Sequence, residues 1–161
     1  MAALNNVFGG GMSSRLFQEV REKRGLAYAV YSYHQSYSDA GAIKTYVGST
    51  TGNVEEAVDV IVREMGEMRT KRVEPEELER TKQQLKSSTL LALESTAARM
   101  NRVGRSVILG TELLSPEEIA ARIEAVTAED VMRLANEHLD TEKMYLSAVG
   151  PKELDLERYL G

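Results

Sequence analysis

The chain has 161 residues, of which 42% are hydrophobic and 28% charged, and its formal net charge is −5 at pH 7. This composition is typical of one soluble globular domain. The negative charge argues against a nucleic-acid partner, because phosphates need a clustered positive surface. No apolar run approaches the roughly 20 residues that span a bilayer, so we expect no membrane partner and a cytoplasmic location. The absence of cysteine excludes disulfides, thiolate zinc sites and cysteine nucleophiles.

Glycine and serine residues mark the limits of a helix near the start of the chain. Gly9–Gly11 favours a turn after the apolar segment AALNNVF, which resembles the end of a helix. Ser13 or Ser14 is suited to cap the next helix, and Gly25 is suited to end it. These signals predict a helix over 13–24, with an apolar face formed by Met12, Leu16, Phe17 and Val20.

A hairpin and several helices follow. LAYAVYSYHQSY alternates as a strand does, which places Leu26, Tyr28, Val30 and Ser32 on one face, and AIKTYVGS returns as the second strand. Helices are predicted over 53–70, with an Asn53 capping box, from Pro75 to about 109 with a bend near Ser95, and from Ser115 and Thr127. MYLSAV at 144–149 predicts a final strand. This order predicts an α+β two-layer sandwich, an antiparallel or mixed sheet with helices on one face.

Metal and phosphate sites find little support in the sequence. The segment 134–138, LANEH, approaches the inverted zinc motif H-x-x-E-H, but Leu134 stands where the first histidine is needed. His138 is therefore more plausible as a cation at a helix C-terminus than as a ligand, and His34 lies alone on the hairpin. Gly9–Gly11 lacks the following lysine of a phosphate-binding loop. We therefore expect no metal site within this chain.

The hairpin is rich in tyrosine, with five of the seven in the chain at Tyr28, Tyr31, Tyr33, Tyr37 and Tyr46. Aromatic residues of a half-buried sheet are the simplest interpretation of this set. The alternative is that one hydroxyl points into a cleft as a neutral hydrogen-bond donor toward a carbonyl oxygen. Arg21, one turn before the predicted hairpin, is suited to hold a carbonyl or carboxylate near the same place.

These residues carry a family resemblance. GGGMSSRLFQEVREKRGLAYAVYSY, followed by SYSDAGAIKTYVGS, closely resembles the C-terminal half of the pitrilysin/insulinase zinc peptidases, nearest to the mitochondrial processing peptidase group and its bacterial counterparts. The segments PEELERTKQQLKSSTLLALESTAARMNRVGRS and SPEEIAARIEAVTAEDVMRLAN agree with the same half-domain. The resemblance covers nearly the whole chain.

The resemblance implies roles for two residues. Family members consist of similar α/β halves that face each other across a peptide-holding chamber. One half binds zinc through H-x-x-E-H and a downstream glutamate, and the other carries an arginine–tyrosine pair. REKRGLAY matches that pair, which implies that Tyr28 donates to the scissile carbonyl or oxyanion and that Arg21 positions the substrate. Both residues are therefore candidate substrate-binding and catalytic residues.

The resemblance also implies partners. Zinc would be a cofactor of the complete enzyme, bound by an N-terminal half or partner subunit outside this chain, and the chain alone would be inactive. We expect residues 1–161 to be a single C-terminal half-domain, truncated at its N-terminus, that meets a peptide substrate. If a leading strand is missing, the uncovered sheet edge favours a homo-oligomer. The alternative function is a non-catalytic structural or peptide-binding homologue.

Overall fold

The computed structural model describes residues 1–151, 155 and 157–159 of the chain. These residues form six α-helices, a π-helix at Phe17–Glu22, two strands, and short 3₁₀ helices at Thr141–Lys143 and Glu157–Tyr159. The strands are β1 (Ala27–Ser36) and β2 (Gly41–Ser49). The α-helices are α1 (Ala2–Phe8), α2 (Val54–Thr70), α3 (Pro75–Ala92), α4 (Thr96–Leu109), α5 (Pro116–Glu124) and α6 (Ala128–His138). None of the helices described is long and apolar enough to cross a membrane.

The two strands form an antiparallel hairpin, which confirms the predicted α+β class and the predicted hairpin. Tyr31 lies opposite Tyr46 and Ser36 lies opposite Gly41. The Tyr37 amide donates to the Ala40 carbonyl at 2.8 Å and closes the turn. The sheet of the described residues contains these two strands and no others.

The predicted third strand at 144–149 is wrong. Those residues form neither helix nor strand, and the side chains of Tyr145 and Val149 are 97% and 103% exposed. Met144 alone packs against the core. Apolar alternation favours an extended backbone, but a strand also needs a neighbour that satisfies its amide and carbonyl groups. No such neighbour lies beside this segment among the described residues.

Side-chain caps set most of the predicted helix starts. Capping boxes join Ser115 to Glu118 and Thr127 to Asp130, as predicted. The bend predicted near Ser95 is a full break, because the Ser95 hydroxyl accepts from the Ala98 amide and starts α4 as a new helix. The capping box predicted at Asn53 is wrong, since the Asn53 side chain makes no cap hydrogen bond and its backbone is already helical.

The core lies where α1, α2, α6 and the π-helix meet the start of β1. Its largest fully buried side chains include Leu4, Phe8, Leu16, Met68 and Val131. In contrast, α4 and α5 bury no residue completely. The stable centre of the molecule is therefore next to the first half of the hairpin, and α4 lies outside it.

A close backbone contact between Gly9 and Ser32 joins α1 to the edge of β1. The Ser32 amide donates to the Gly9 carbonyl at 2.9 Å, and the Ser32 hydroxyl donates to the Asn5 side-chain oxygen at 2.9 Å. A Cβ atom at Gly9 would lie 2.5 Å from the Ser32 hydroxyl oxygen and 2.6 Å from the Ser32 nitrogen. Real Cβ atoms do not approach so closely, so glycine is required here.

We expect Gly9→Ala to destabilise the chain by about 1–3 kcal/mol, because the methyl group must displace β1 or α1. Gly66→Ala is the matched control, since a Cβ at this position in α2 meets no atom within 4 Å. That change should stabilise the chain by about 0.5–1 kcal/mol, the helix preference of alanine over glycine. Urea unfolding followed by circular dichroism measures both. Equal effects of the two substitutions would contradict the steric argument.

A group of charged residues joins the segment before the π-helix to α2 and α3. Arg15 binds both carboxylate oxygens of Glu77, at 3.0 and 2.8 Å. Glu64, on α2, is only 5% exposed. Burial is the main cause that raises the pKa of Glu64 above its ordinary value of 4.5, and the carboxylates of Glu67 and Glu19 raise it further. The guanidinium groups of Arg63 and Arg15 lower it by less.

A raised pKa in the folded chain means that ionising Glu64 opposes folding. The wild-type chain should therefore lose stability from this group as the pH rises above 4.5, the ordinary pKa, toward the higher folded-state pKa. We expect Glu64→Gln to remove this loss, so its stability advantage over wild type should grow between pH 4 and pH 7. Thermal unfolding at several pH values measures the difference. A variant less stable than wild type at pH 7 would show that attraction to Arg63 and Arg15 outweighs burial.

Candidate functional site

The π-helix places Arg21 beside the start of the hairpin. The Ser14 hydroxyl accepts from the Phe17 amide at 3.4 Å, so Ser14, one of the two candidates predicted from the sequence, is the residue that caps this helix. The Lys23 amide donates to the Gln18 carbonyl at 2.9 Å, five residues earlier, which is π-helical geometry. The predicted helix is thus present in the expected place, and its π form is an addition that the sequence did not indicate.

Gly25 turns the chain from this helix into β1. Its φ of 62° lies in the left-handed region that favours glycine, as predicted for a residue that ends a helix. The Leu26 amide then donates to the Val20 carbonyl at 2.9 Å. The helix end and the strand start are therefore rigidly connected, three residues before Tyr28.

A β-bulge between Ala27 and Ala29 reorients Tyr28. The alternation predicted from the sequence placed Tyr28 on the same face as Val30 and Ser32, and this is wrong. Val30 and Ser32 are 5% and 4% exposed, whereas Tyr28 is 84% exposed. The extra residue shifts the side-chain alternation by one position, so Tyr28 turns away from the core.

Arg21 and Tyr28 are brought together, as the sequence suggested. The Arg21 guanidinium carbon lies 5.2 Å from the centre of the Tyr28 ring and 4.8 Å from the centre of the Phe17 ring. These are cation–π distances, worth about 0.5–1 kcal/mol each at exposed positions. Glu22 is the nearest carboxylate, 3.7 Å from the Arg21 Nε atom. Two aromatic faces therefore hold the guanidinium in a defined position.

Phe17 is the residue of this site that the sequence analysis missed. It was placed on the apolar face of the predicted helix, and it is half-buried there. Its position four residues before Arg21 is the available signal, because side chains four residues apart in a helix lie next to each other. The Arg21 guanidinium thus contacts the Phe17 ring on the helix and the Tyr28 ring on β1.

The arrangement has two chemical capabilities. Among the described residues the Tyr28 hydroxyl makes no hydrogen bond, so it is available as a neutral donor to a ligand oxygen. The Arg21 side chain is 39% exposed, so its planar group of donors can reach a carbonyl or carboxylate. A peptide backbone presents suitable acceptors to both residues.

The other tyrosines of the hairpin fit the simpler interpretation of sheet aromatics. Tyr31 stacks on Tyr46 across the strands, with 5.2 Å between ring centres. Tyr33 lies 6.3 Å from Tyr31, and Lys44 lies over the Tyr33 ring. Tyr37 is exposed near the turn. The Tyr31–Tyr46 and Tyr33–Lys44 contacts are cross-strand packing, the Tyr31–Tyr33 contact lies along β1, and none of these four rings contacts Arg21 in the described structure.

The histidines do not approach a metal-binding arrangement. Leu134 packs against the core, which supports its interpretation as a core residue. His138 ends α6, and its Nε2 atom lies 3.8 Å from Glu137. Residues 1–151, 155 and 157–159 contain no group of three or more His, Cys, Asp or Glu side chains placed to hold an ion. The donors that zinc needs are therefore not assembled in this part of the chain.

Comparisons with known proteins agree with this scaffold. The chain is 42% identical over 151 residues to an uncharacterised zinc protease of Streptomyces coelicolor, covering 94% of this chain and 33% of that protein. It is 40% identical over 151 residues to an uncharacterised zinc protease of Bacillus subtilis, covering 94% of this chain and 37% of that protein. The chain thus spans about a third of the length of these relatives.

A solved structure shows the same fold. The crystal structure of a peptidase M16 inactive domain from Pseudomonas fluorescens superimposes with a TM-score of 0.77 at 26% identity, covering 86% of this chain and 33% of that one. The fold is thus the α+β fold of a peptidase M16 inactive domain. The family model described as the peptidase M16 inactive domain matches residues 1–85, and the chain belongs to this family. A closer relation to the mitochondrial processing peptidases stays a prediction.

We expect the isolated chain to bind no stoichiometric zinc and to hydrolyse no peptide, because the described residues assemble no ligand set. Metal analysis after dialysis against dilute zinc, with a fluorogenic peptide assay in parallel, measures both properties. One zinc ion retained per chain would contradict this expectation.

Proposed function

We propose that this chain is the substrate-binding and transition-state-assisting half of a zinc metalloendopeptidase that cleaves peptides in a closed chamber. The observation that carries the proposal is the position of Arg21 between the Phe17 and Tyr28 rings, beside a Tyr28 hydroxyl with no partner among the described residues. Zinc would be held by an N-terminal zinc-binding half or by a partner subunit. The zinc proteases of Streptomyces coelicolor and Bacillus subtilis that the chain resembles support zinc as a cofactor of the complete enzyme.

Tyr28 has the properties of a transition-state donor. Its ring contacts the Arg21 guanidinium, and 84% of the residue is exposed, so the hydroxyl is accessible to a ligand. As a scissile carbonyl becomes tetrahedral, its oxygen gains negative charge, and a fixed donor then binds it more strongly than in the ground state. A phenol can supply this hydrogen bond without an opposing charge of its own. We assign this role to the Tyr28 hydroxyl.

Arg21 is suited to hold the substrate before and during the reaction. Its charge and planar donors are present in both the ground state and the transition state, so it contributes mainly to binding. The Phe17 and Tyr28 rings restrict the guanidinium before the peptide arrives, which lowers the entropy lost on binding. We therefore assign Arg21 to substrate positioning.

We expect Tyr28→Phe, made in the complete enzyme, to lower kcat by about 100-fold to 1000-fold with little change in KM, the cost of removing one oxyanion donor. The ring and its contact with Arg21 remain. Tyr33→Phe is the matched control, because Tyr33 lies on the same strand and its ring does not contact Arg21. Steady-state kinetics on a fluorogenic peptide measures both. A wild-type kcat for Tyr28→Phe would show that the Tyr28 hydroxyl is not the transition-state donor.

Arg21→Ala in the same enzyme should mainly raise KM, with a smaller effect on kcat, because it removes an interaction assigned to both the ground state and the transition state. It also removes the partner of two aromatic rings, so circular dichroism and thermal unfolding must accompany the kinetics. Arg24→Ala provides a control on the same helix end, where the side chain binds Glu19 and no aromatic ring. If the two substitutions raise KM equally, Arg21 has no special part in binding.

A further inference from the structure

A groove separates the tip of the hairpin from α4. Its volume is about 1060 Å³, and it is lined by residues 34–40 on one side and by residues of α4 between Met100 and Leu109 on the other. It lies toward the far end of β1 from Tyr28: the nearest lining residue along the strand is His34, six residues away, which is about 20 Å along a strand. The groove is thus separate from the Arg21–Tyr28 site.

The edge of β1 faces this groove, and some of its outward backbone groups are unpaired among the described residues. The Ser32 amide points away from β2, because it donates to Gly9. In an antiparallel pair the outward direction recurs every second residue, so the backbone groups of His34 and Ser36 also point outward. The Ser36 carbonyl accepts from Arg105 at 3.3 Å. No other backbone partner of His34 or Ser36 on this edge occurs among the described residues.

The α4 wall of the groove carries three exposed apolar side chains. Met100, Ile108 and Leu109 line it and are 66%, 83% and 44% exposed. An apolar wall beside a free strand edge matches an added strand, because such a strand points every second side chain to one face. The wall would receive one set of alternating apolar side chains.

Arg105 adds a positive charge between the edge and the wall. It forms no ion pair among the residues that the structure describes, and its hydrogen bond to Ser36 occupies one nitrogen. Asp39 also lines the groove, but its carboxylate is not within ion-pair distance of Arg105 in the described structure. The remaining guanidinium donors are suited to a carboxylate, which they can bind through two parallel hydrogen bonds.

We propose that this groove binds an extended peptide segment that carries a carboxylate. The peptide backbone pairs with the outward groups of His34 and Ser36, its apolar side chains lie on Met100 and Ile108, and its carboxylate binds Arg105. This is strand addition with a charged anchor. The binding requires no zinc and does not depend on the role assigned to Arg21 and Tyr28.

The experiment uses the 161-residue chain and a fluorescein-labelled hexapeptide that alternates leucine and serine and ends in a free carboxylate. Two comparison peptides carry a C-terminal amide or N-methylated backbone nitrogens. Fluorescence anisotropy should show about tenfold weaker binding for each comparison peptide, the effect of losing a charge-assisted or a backbone hydrogen bond. Equal affinity for all three peptides would overturn the proposal.

Substitutions on α4 test the two parts of the groove separately. Arg105→Gln should abolish the difference between acid and amide peptides, Arg105→Lys should retain part of it, and Arg99→Gln on the same helix should leave it unchanged. Ile108→Asp should weaken all peptides, whereas its neighbour Val107, 76% exposed and not lining the groove, should tolerate Val107→Asp. All four substituted side chains belong to a helix without buried residues, so folding should be retained.

The strongest competing occupant is a second copy of the chain. Light scattering without peptide distinguishes it: a dimer that Ile108→Asp dissociates, and that the peptide does not displace, would assign the groove to self-association and overturn the proposal. Equal effects of Ile108→Asp and Val107→Asp would also overturn it. None of these measurements involves turnover, so they fail or succeed independently of the kinetics proposed for Tyr28.

Discussion

The close contact between Gly9 and Ser32 is the constraint on which the rest of the arrangement depends. A carbonyl from the end of α1 accepts from the edge of β1 at 2.9 Å, and the 2.5 Å separation between a Cβ built at Gly9 and the Ser32 hydroxyl oxygen excludes any side chain. The contact fixes α1 against the strand. It also pairs the Ser32 amide, in the middle of the outer edge of β1, with a backbone carbonyl.

The site depends on two irregularities of the backbone, a π-helix and a β-bulge, and both affect how Arg21 and Tyr28 are placed. The π-helix shifts the turn that carries Arg21, and the bulge at Ala27–Ala29 turns Tyr28 away from the core. A regular strand would bury the Tyr28 ring beside Val30. Bulges next to functional sites commonly reorient one side chain in this way. The pairing of Arg21 with Tyr28 is therefore a product of local departures from regular geometry.

These local irregularities explain why some features of the fold and the site could be predicted from the sequence and others could not. Caps at Ser14, Ser115 and Thr127 and the left-handed Gly25 were predictable, because each follows from the chemistry of one residue and its neighbours. The hairpin followed from alternation and turn residues. The exposed face of Tyr28 was not predictable, because a single inserted residue reverses the alternation. The strand at 144–149 failed because strand formation depends on a distant partner.

Buried side chains fix the position of the Arg21–Tyr28 site, whereas no buried side chain fixes the position of α4. Arg21 and Tyr28 are attached to the part of the chain that contains Leu16 and Val20, both 0% exposed. In α4, by contrast, no residue is buried, and Arg105 joins it to the hairpin through one hydrogen bond at 3.3 Å. Local opening costs least where few apolar contacts are lost. The position of α4 relative to the hairpin is therefore easier to shift than the Arg21–Tyr28 pair, and a ligand in the proposed groove can move α4 without moving the site.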